Sequence, residues 1–236
     1  MVDNLYNPRL IVLDFDGVIV DSIEECYRVS KDVYYGYNRF PFDEVNYKKL
    51  FYRFRGFVGP AYEYFVLHKL LEENISGKEI DLHKFNKLKK SIRQAKLNFF
   101  ESLFFFTRTH YQKANFDDWA ALNPLTTFGK SLVTRDNNDI YIVTTKNRLA
   151  VESLLKHHNI SVKKIYANDE VKKKGSKGIL IEDLLNHERA SEAYFVDDST
   201  FHLDTVTDQR VKCFFADWGY GENDIAKPYQ LADGVL

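Results

Sequence analysis

Five short apolar stretches set the rhythm of this chain. Leu10-Ile11-Val12-Leu13 is apolar at every position, the pattern of a strand buried on both faces rather than on one. Ile140-Tyr141-Ile142-Val143 and Ala193-Tyr194-Phe195-Val196 repeat it, and 164–167 and 212–216 read as further strands. Between them, 128–133, 150–157 and 179–186 carry helical patterns. Strands alternating with helices predict an α/β fold, a doubly wound parallel sheet of Rossmann-like type.

One long segment breaks that rhythm. From 22 to about 121 no strand pattern occurs, and nearly every stretch is helical in texture. Ser22-Ile23-Glu24-Glu25 has the form of a capping box, with Ser22 at the N-cap and Glu25 three residues on. The clearest helix spans 80–112. There Phe85, Leu88, Ile92, Ala95, Phe99 and Phe106 recur at steps of three and four, with Ser102 the polar interruption. That stripe predicts a core seam along a partner helix. The expected organisation is therefore a core of residues 1–21 and 122–236, interrupted by a helical domain of 22–121.

Composition narrows the function classes. With 44% hydrophobic and 28% charged residues the chain has a globular balance, and 15% aromatics demand a core rich in Phe and Tyr. A formal charge of −1 argues against non-specific nucleic-acid binding. No apolar run is long enough to span a bilayer, so no membrane role is expected. Cys26 and Cys213 fit no metal or redox spacing and read as two reduced thiols. The N-terminus lacks the pattern of a cleaved signal, and a cytoplasmic protein is the expectation. Oligomeric state is left open.

The candidate chemistry lies at strand ends. In open α/β sheets, ligands bind at the carboxyl edge. Three predicted strands end there in reactive residues: Asp14 with Asp16, Thr144 with Thr145, and Asp197 with Asp198. Carboxylates converging on one rim repel one another unless a cation intervenes. A hard, oxygen-seeking ion such as Mg²⁺ suits them.

These residues also carry a resemblance. Asp14-Phe15-Asp16-Gly17-Val18-Ile19-Val20-Asp21-Ser22 resembles the first motif of the haloacid-dehalogenase-like superfamily. Val143-Thr144-Thr145-Lys146 is similar to its second motif, and Phe195-Val196-Asp197-Asp198-Ser199 to its fourth. Trp218-Gly219-Tyr220-Gly221, with Leu231-Ala232-Asp233, resembles the C-terminal segment of phosphoglycolate-phosphatase-type members. The likeness covers residues 9–24 and 122–236.

The resemblance implies a Mg²⁺-dependent phosphatase acting on a small phosphorylated metabolite, with the inserted helices as a cap. Asp14 would be the nucleophile and Asp16 the general acid and base. Thr144 would bind the phosphoryl oxygens, with Thr145 beside it as a substrate contact. Lys177, 21 residues before Asp198, would offset charge on nucleophile and phosphate. Asp14, the main-chain carbonyl of Asp16, and Asp198 would hold the metal, with Asp197 either sharing that role or supporting it from outside. Two departures stand out. Gly178 follows the lysine where the family often has proline, and the next acid after Asp198 is as far on as Asp204. In the inserted segment, Arg55 is a candidate clamp for a second anionic group of the substrate. A phosphosugar mutase of the same superfamily and a non-catalytic binding protein on the same fold are the alternatives.

Overall fold

The computed structural model describes residues 9–36, 40–76, 79–137, 139–221 and 229–232. Six parallel strands form one sheet: β1 (Arg9–Leu13), β2 (Ile140–Val143), β3 (Lys164–Tyr166), β4 (Glu192–Asp197), β5 (Val211–Phe215) and the two-residue β6 (Gln230–Leu231). Their order is β3-β2-β1-β4-β5-β6. The chain thus leaves β1 towards one side, then crosses back to continue on the other, and this reversal opens a crevice at the carboxyl ends. The central strands are apolar because both faces are covered. All four residues of β2 are buried, as are the last four of β1. The fold class read from the sequence holds, with β6 as an addition to the predicted strands.

The chain divides into two compact units, one of residues 1–20 with 125–236 and one of residues 21–124. Among its described residues the second has only helices as regular elements: α1 (Ile23–Tyr35), α2 (Glu44–Phe54), α3 (Glu63–Glu73), α4 (Leu82–Ser91), α5 (Gln94–Ala114) and α6 (Phe116–Ala121), with a short 3₁₀ turn at Arg55–Phe57. Its core is aromatic: Tyr27, Tyr47, Phe51, Tyr64, Phe85 and Phe104 are buried together. A directed chain of hydrogen bonds runs through this apolar interior. Tyr35 donates to Tyr47, Tyr47 to His68 Nδ1, His68 Nε2 to Ser30, and Ser30 to the Cys26 carbonyl. Each polar group of that chain thereby finds a partner, and the imidazole stays neutral because burial pushes its pKa down to about 3.

Two expectations for this unit are overturned. Glu25 does not close a capping box, and the Ser22 side chain makes no cap bond. The Glu25 carboxylate is fully buried and accepts twice from Arg108, Oε1 from Nε at 2.7 Å and Oε2 from Nη2 at 2.8 Å, with Trp119 Nε1 at 3.3 Å from Oε1. A charge-assisted, bidentate pair outweighs a local cap bond. Arg108 is therefore buried. The helix predicted over 80–112 is in fact two, broken where Ile92 takes an extended conformation. Phe85 packs in the core, but Phe99 is 65% and Phe106 73% exposed. The face of α5 that packs inward carries Leu97, Phe100, Glu101, Phe104 and Arg108 instead. Two stripes compete on this helix, and the inner one is favoured because Arg108 finds its partner there.

The remaining helices flank the sheet: α7 (Thr127–Ser131), α8 (Arg148–His157), α9 (Asn168–Lys174), α10 (Lys177–Glu188) and α11 (Thr200–Leu203). Lys172, Lys173 and Lys174 end α9 as an exposed basic turn. Among the described residues, no helix is long and apolar enough to cross a membrane.

Candidate active site

Register brings the reactive residues together. Leu13 pairs with Ile142 of β2 and with Val196 of β4, so Asp14 leaves the sheet level with Val143 and Asp197. Its N–H donates to the Val196 carbonyl at 2.9 Å, carrying the ladder one residue past the strand. Thr144 and Asp198 follow at the same edge, both buried. Beyond Asp14 the chain turns back sharply. Gly17 has φ +81°, and its N–H donates to the Val20 carbonyl at 2.8 Å.

Carboxylate oxygens of Asp14, Asp197 and Asp198 lie within 4.8 Å of one another, and all three residues are buried. Lys177 Nζ stands 2.9 Å from Asp14 Oδ1 and 2.8 Å from Asp197 Oδ2. Gly178 explains how the lysine gets there. A Cβ at that position would lie 2.1 Å from the Thr205 carbonyl oxygen, so only glycine lets the start of α10 approach so closely. This accounts for the missing proline.

The electrostatics fit a divalent cation. Burial pushes the Asp14 carboxyl above its ordinary pKa, Lys177 works against that, and Asp197 adds to it. Asp197 is raised as well, again by burial against the pull of Lys177. Burial alone would lower the Lys177 ammonium, but the two carboxylates outweigh it and keep the group protonated. The cluster thus holds three carboxylates and the one ammonium that faces Asp14 and Asp197, and a divalent ion would balance the difference. Asp14 Oδ1 is buried without a hydrogen bond, its contact with Lys177 being an ion pair off hydrogen-bond geometry. Octahedral Mg²⁺ at 2.0–2.1 Å needs ligand oxygens roughly 3–4 Å apart, which the cluster's span accommodates. The donor set is all oxygen, as that ion prefers.

The other predicted residues divide in two. Asp16 joins the site, its Oδ1 2.9 Å from Lys146 Nζ. Thr144 Oγ1 accepts from the Lys146 N–H at 3.2 Å. Thr145 is half-buried, and its carbonyl accepts from Asn168 Nδ2 at 2.8 Å. Arg55 belongs to the helical unit, where it is buried, donates from Nη1 to the Val58 carbonyl at 2.8 Å and lies 5.1 Å from the Tyr64 ring centroid.

Two features escaped the sequence reading. Lys146, given no role there, has a side chain with no exposed surface. The Trp218–Gly221 segment proves to be a cradle for Asp198. Tyr220 N–H donates to Asp198 Oδ2 at 2.7 Å. A Cβ at Gly17 would fall 2.2 Å from Asp198 Oδ2, one at Gly219 2.3 Å from its Cβ, and one at Gly221 2.1 Å from its carbonyl oxygen. Three glycines therefore close round one aspartate. The Trp-Gly-Tyr-Gly spelling was the available signal. Asp233 lies outside the described residues.

No protein-family model matches this chain, and no curated protein matches it. Solved structures do. A structure provisionally described as a haloacid dehalogenase-like hydrolase, from Bacteroides fragilis, aligns over 95% of each chain with TM-score 0.63 and 18% identity. A haloacid dehalogenase-like family hydrolase from Streptococcus pneumoniae aligns over 94% of this chain and 90% of its own, with TM-score 0.62 and 18% identity. One provisionally described as a phosphoglycolate phosphatase, from Lactobacillus delbrueckii, covers 95% and 92%, with TM-score 0.64 and 11% identity. The fold is that of the haloacid dehalogenase-like hydrolases. The similarity extends over nearly the whole chain, helical unit included.

Proposed function

We propose that this protein is a phosphatase that hydrolyses a small phosphomonoester through an aspartyl-phosphate on Asp14. The observation that carries the reading is the buried set of Asp14, Asp197, Asp198 and Lys177 at the carboxyl edge of a sheet with this fold. A cluster short of positive charge is costly to maintain unless a cation and an anionic substrate complete it.

The residues then take definite roles. The Asp14 carboxylate attacks phosphorus in line, so that its new bond to phosphorus forms as the ester P–O bond breaks. The electron pair goes to the leaving oxygen, which takes a proton from Asp16. The Asp16 carboxylate next accepts a proton from the water that cleaves the acyl phosphate, returning Asp14 and releasing phosphate. Thr144 and Lys177 would meet the phosphoryl oxygens, the lysine as a fixed positive charge. Asp14, the main-chain carbonyl of Asp16, and Asp198 would hold Mg²⁺, which supplies charge neutralisation at the phosphoryl group. Asp197 is better suited to anchoring the lysine, since its Oδ2 faces Lys177 and its Oδ1 accepts from Ser199 N–H at 2.9 Å.

The test is phosphate release from a panel of phosphorylated metabolites, in Mg²⁺ and again in excess EDTA. Release in Mg²⁺ that chelator stops and added Mg²⁺ restores is expected. No release from any member, or isomerisation of a sugar phosphate that needs a bisphosphate activator, would overturn the proposal.

A further inference from the structure

Asp16 is not part of the Asp14–Asp197–Asp198 cluster, and its own partner is a second lysine. Lys146 Nζ lies 2.9 Å from Asp16 Oδ1, a pairing that spans 130 residues of chain. The lysine side chain is wholly enclosed, while that of Asp16 keeps 16% of its surface exposed. The lysine therefore approaches from beneath, and the carboxylate is the member of the pair that meets solvent. Its backbone is held as well. The Lys146 N–H donates to Thr144 Oγ1 at 3.2 Å, and its carbonyl accepts from the Asn168 N–H at 3.1 Å. A rigid ammonium with three donors restricts both rotations of a short aspartate side chain that would otherwise swing on its turn.

We infer that Lys146 is a positioning residue that holds Oδ1 of the Asp16 carboxyl group, so that the proton carried on Oδ2 in the first step lies in line with the leaving oxygen. The inference rests on the phosphatase reading given above. In the first step a proton passes from Asp16 to that oxygen as the P–O bond breaks. Misplacing a catalytic group by about 1 Å costs on the order of 10²-fold. A general acid matters only where the leaving oxygen needs a proton, and this separates positioning from plain structural support.

The experiment compares kcat/KM for p-nitrophenyl phosphate and phenyl phosphate in wild type, Lys146→Met, Asp16→Asn and the double variant of the two, with thermal unfolding of each protein alongside. This ratio reports only steps through leaving-group departure. Nitrophenolate leaves readily without a proton, whereas phenol, with a pKa of about 10, does not. Lys146→Met is expected to lose roughly 10- to 100-fold more on phenyl phosphate than on the nitrophenyl ester. Asp16→Asn should show the same bias, and the double variant no more bias than Asp16→Asn alone. If Lys146→Met does not fold, Lys146→Gln, which keeps a donor, should show the same bias at smaller size. Equal losses on both esters, beside a biased Asp16→Asn, would overturn the positioning role alone. No phosphate release by wild type, or no bias in Asp16→Asn, would instead overturn the reading beneath it.

Discussion

Replacing Lys177 by Met removes the one ammonium between Asp14 and Asp197 while keeping most of the side chain's volume. Neither Lys177 nor Asp197 exposes any side-chain surface, and their charged atoms are 2.8 Å apart. Losing one member of such a pair strands the other, at a cost of about 3–5 kcal/mol. Total stabilities are about 5–15 kcal/mol, so Lys177→Met should be severely weakened. Adding Asp197→Asn removes the more deeply buried of the two stranded charges, Asp14 being the other, and the amide oxygen can still accept from Ser199 N–H. The double variant should recover part of the loss in urea unfolding followed by circular dichroism, since the Asp14 charge remains without its ammonium. It should not recover phosphate release, because no fixed positive charge would then face the phosphoryl group. A single variant that loses under about 1 kcal/mol would refute the buried pair as the source of stability. Activity in the double variant would refute a catalytic part for the lysine.

Three further outcomes are expected. Asp14→Asn should unfold like the wild type yet lose roughly 10⁴-fold or more in phosphate release, since an amide cannot attack phosphorus; near-normal turnover would end the nucleophile assignment. Gly219→Ala should displace Asp198, whose Cβ is 2.3 Å from the added atom, and titration should show a raised Mg²⁺ requirement, with unchanged metal dependence counting against the cradle. The helical unit should be acid-sensitive through His68. The unfolded chain takes up a proton near pH 6.5, which the native imidazole refuses until about 3. Stability is therefore complete above 6.5 and falls as pH drops, by roughly 2 kcal/mol at pH 5. His68→Gln should flatten that slope, and an unchanged slope would place the titration elsewhere.

How much of this was legible in the sequence depended on the range of the interactions. β1, β2 and β4 stood out because strands covered on both faces are written as unbroken apolar runs. The acids that follow them were legible for the same reason, since a strand end fixes where the next side chain goes. Lys177 could be placed from its position before a helix, although the room that Gly178 makes against Thr205 could not. What failed was the choice between local and distant partners. Glu25 has a sound local role as a cap, but Arg108 lies 83 residues away and binds it better. On α5 two aromatic stripes have nearly equal claims by periodicity. The inner one contains a Glu and an Arg that look wrong for a core until their burial and pairing are seen. Lys146 likewise reads as an ordinary polar residue after a strand, because Asp16 is distant in sequence.

The cradle round Asp198 also has a consequence for the order in which the protein is made. Trp218 Nε1 donates to the Val18 carbonyl across 200 residues of chain. At ribosomal speeds of about 5–20 residues per second, this contact becomes available about 10–40 s after the first turn is synthesised. Residues 21–124 form a contiguous unit and are complete well before that. β1 precedes them, and both its neighbours, β2 and β4, follow them. The nascent chain therefore carries an apolar strand and an unpaired Asp14 until β2, Lys177 and β4 have been made. The site is among the last features to be assembled, and that waiting strand is the segment most in need of protection on the ribosome.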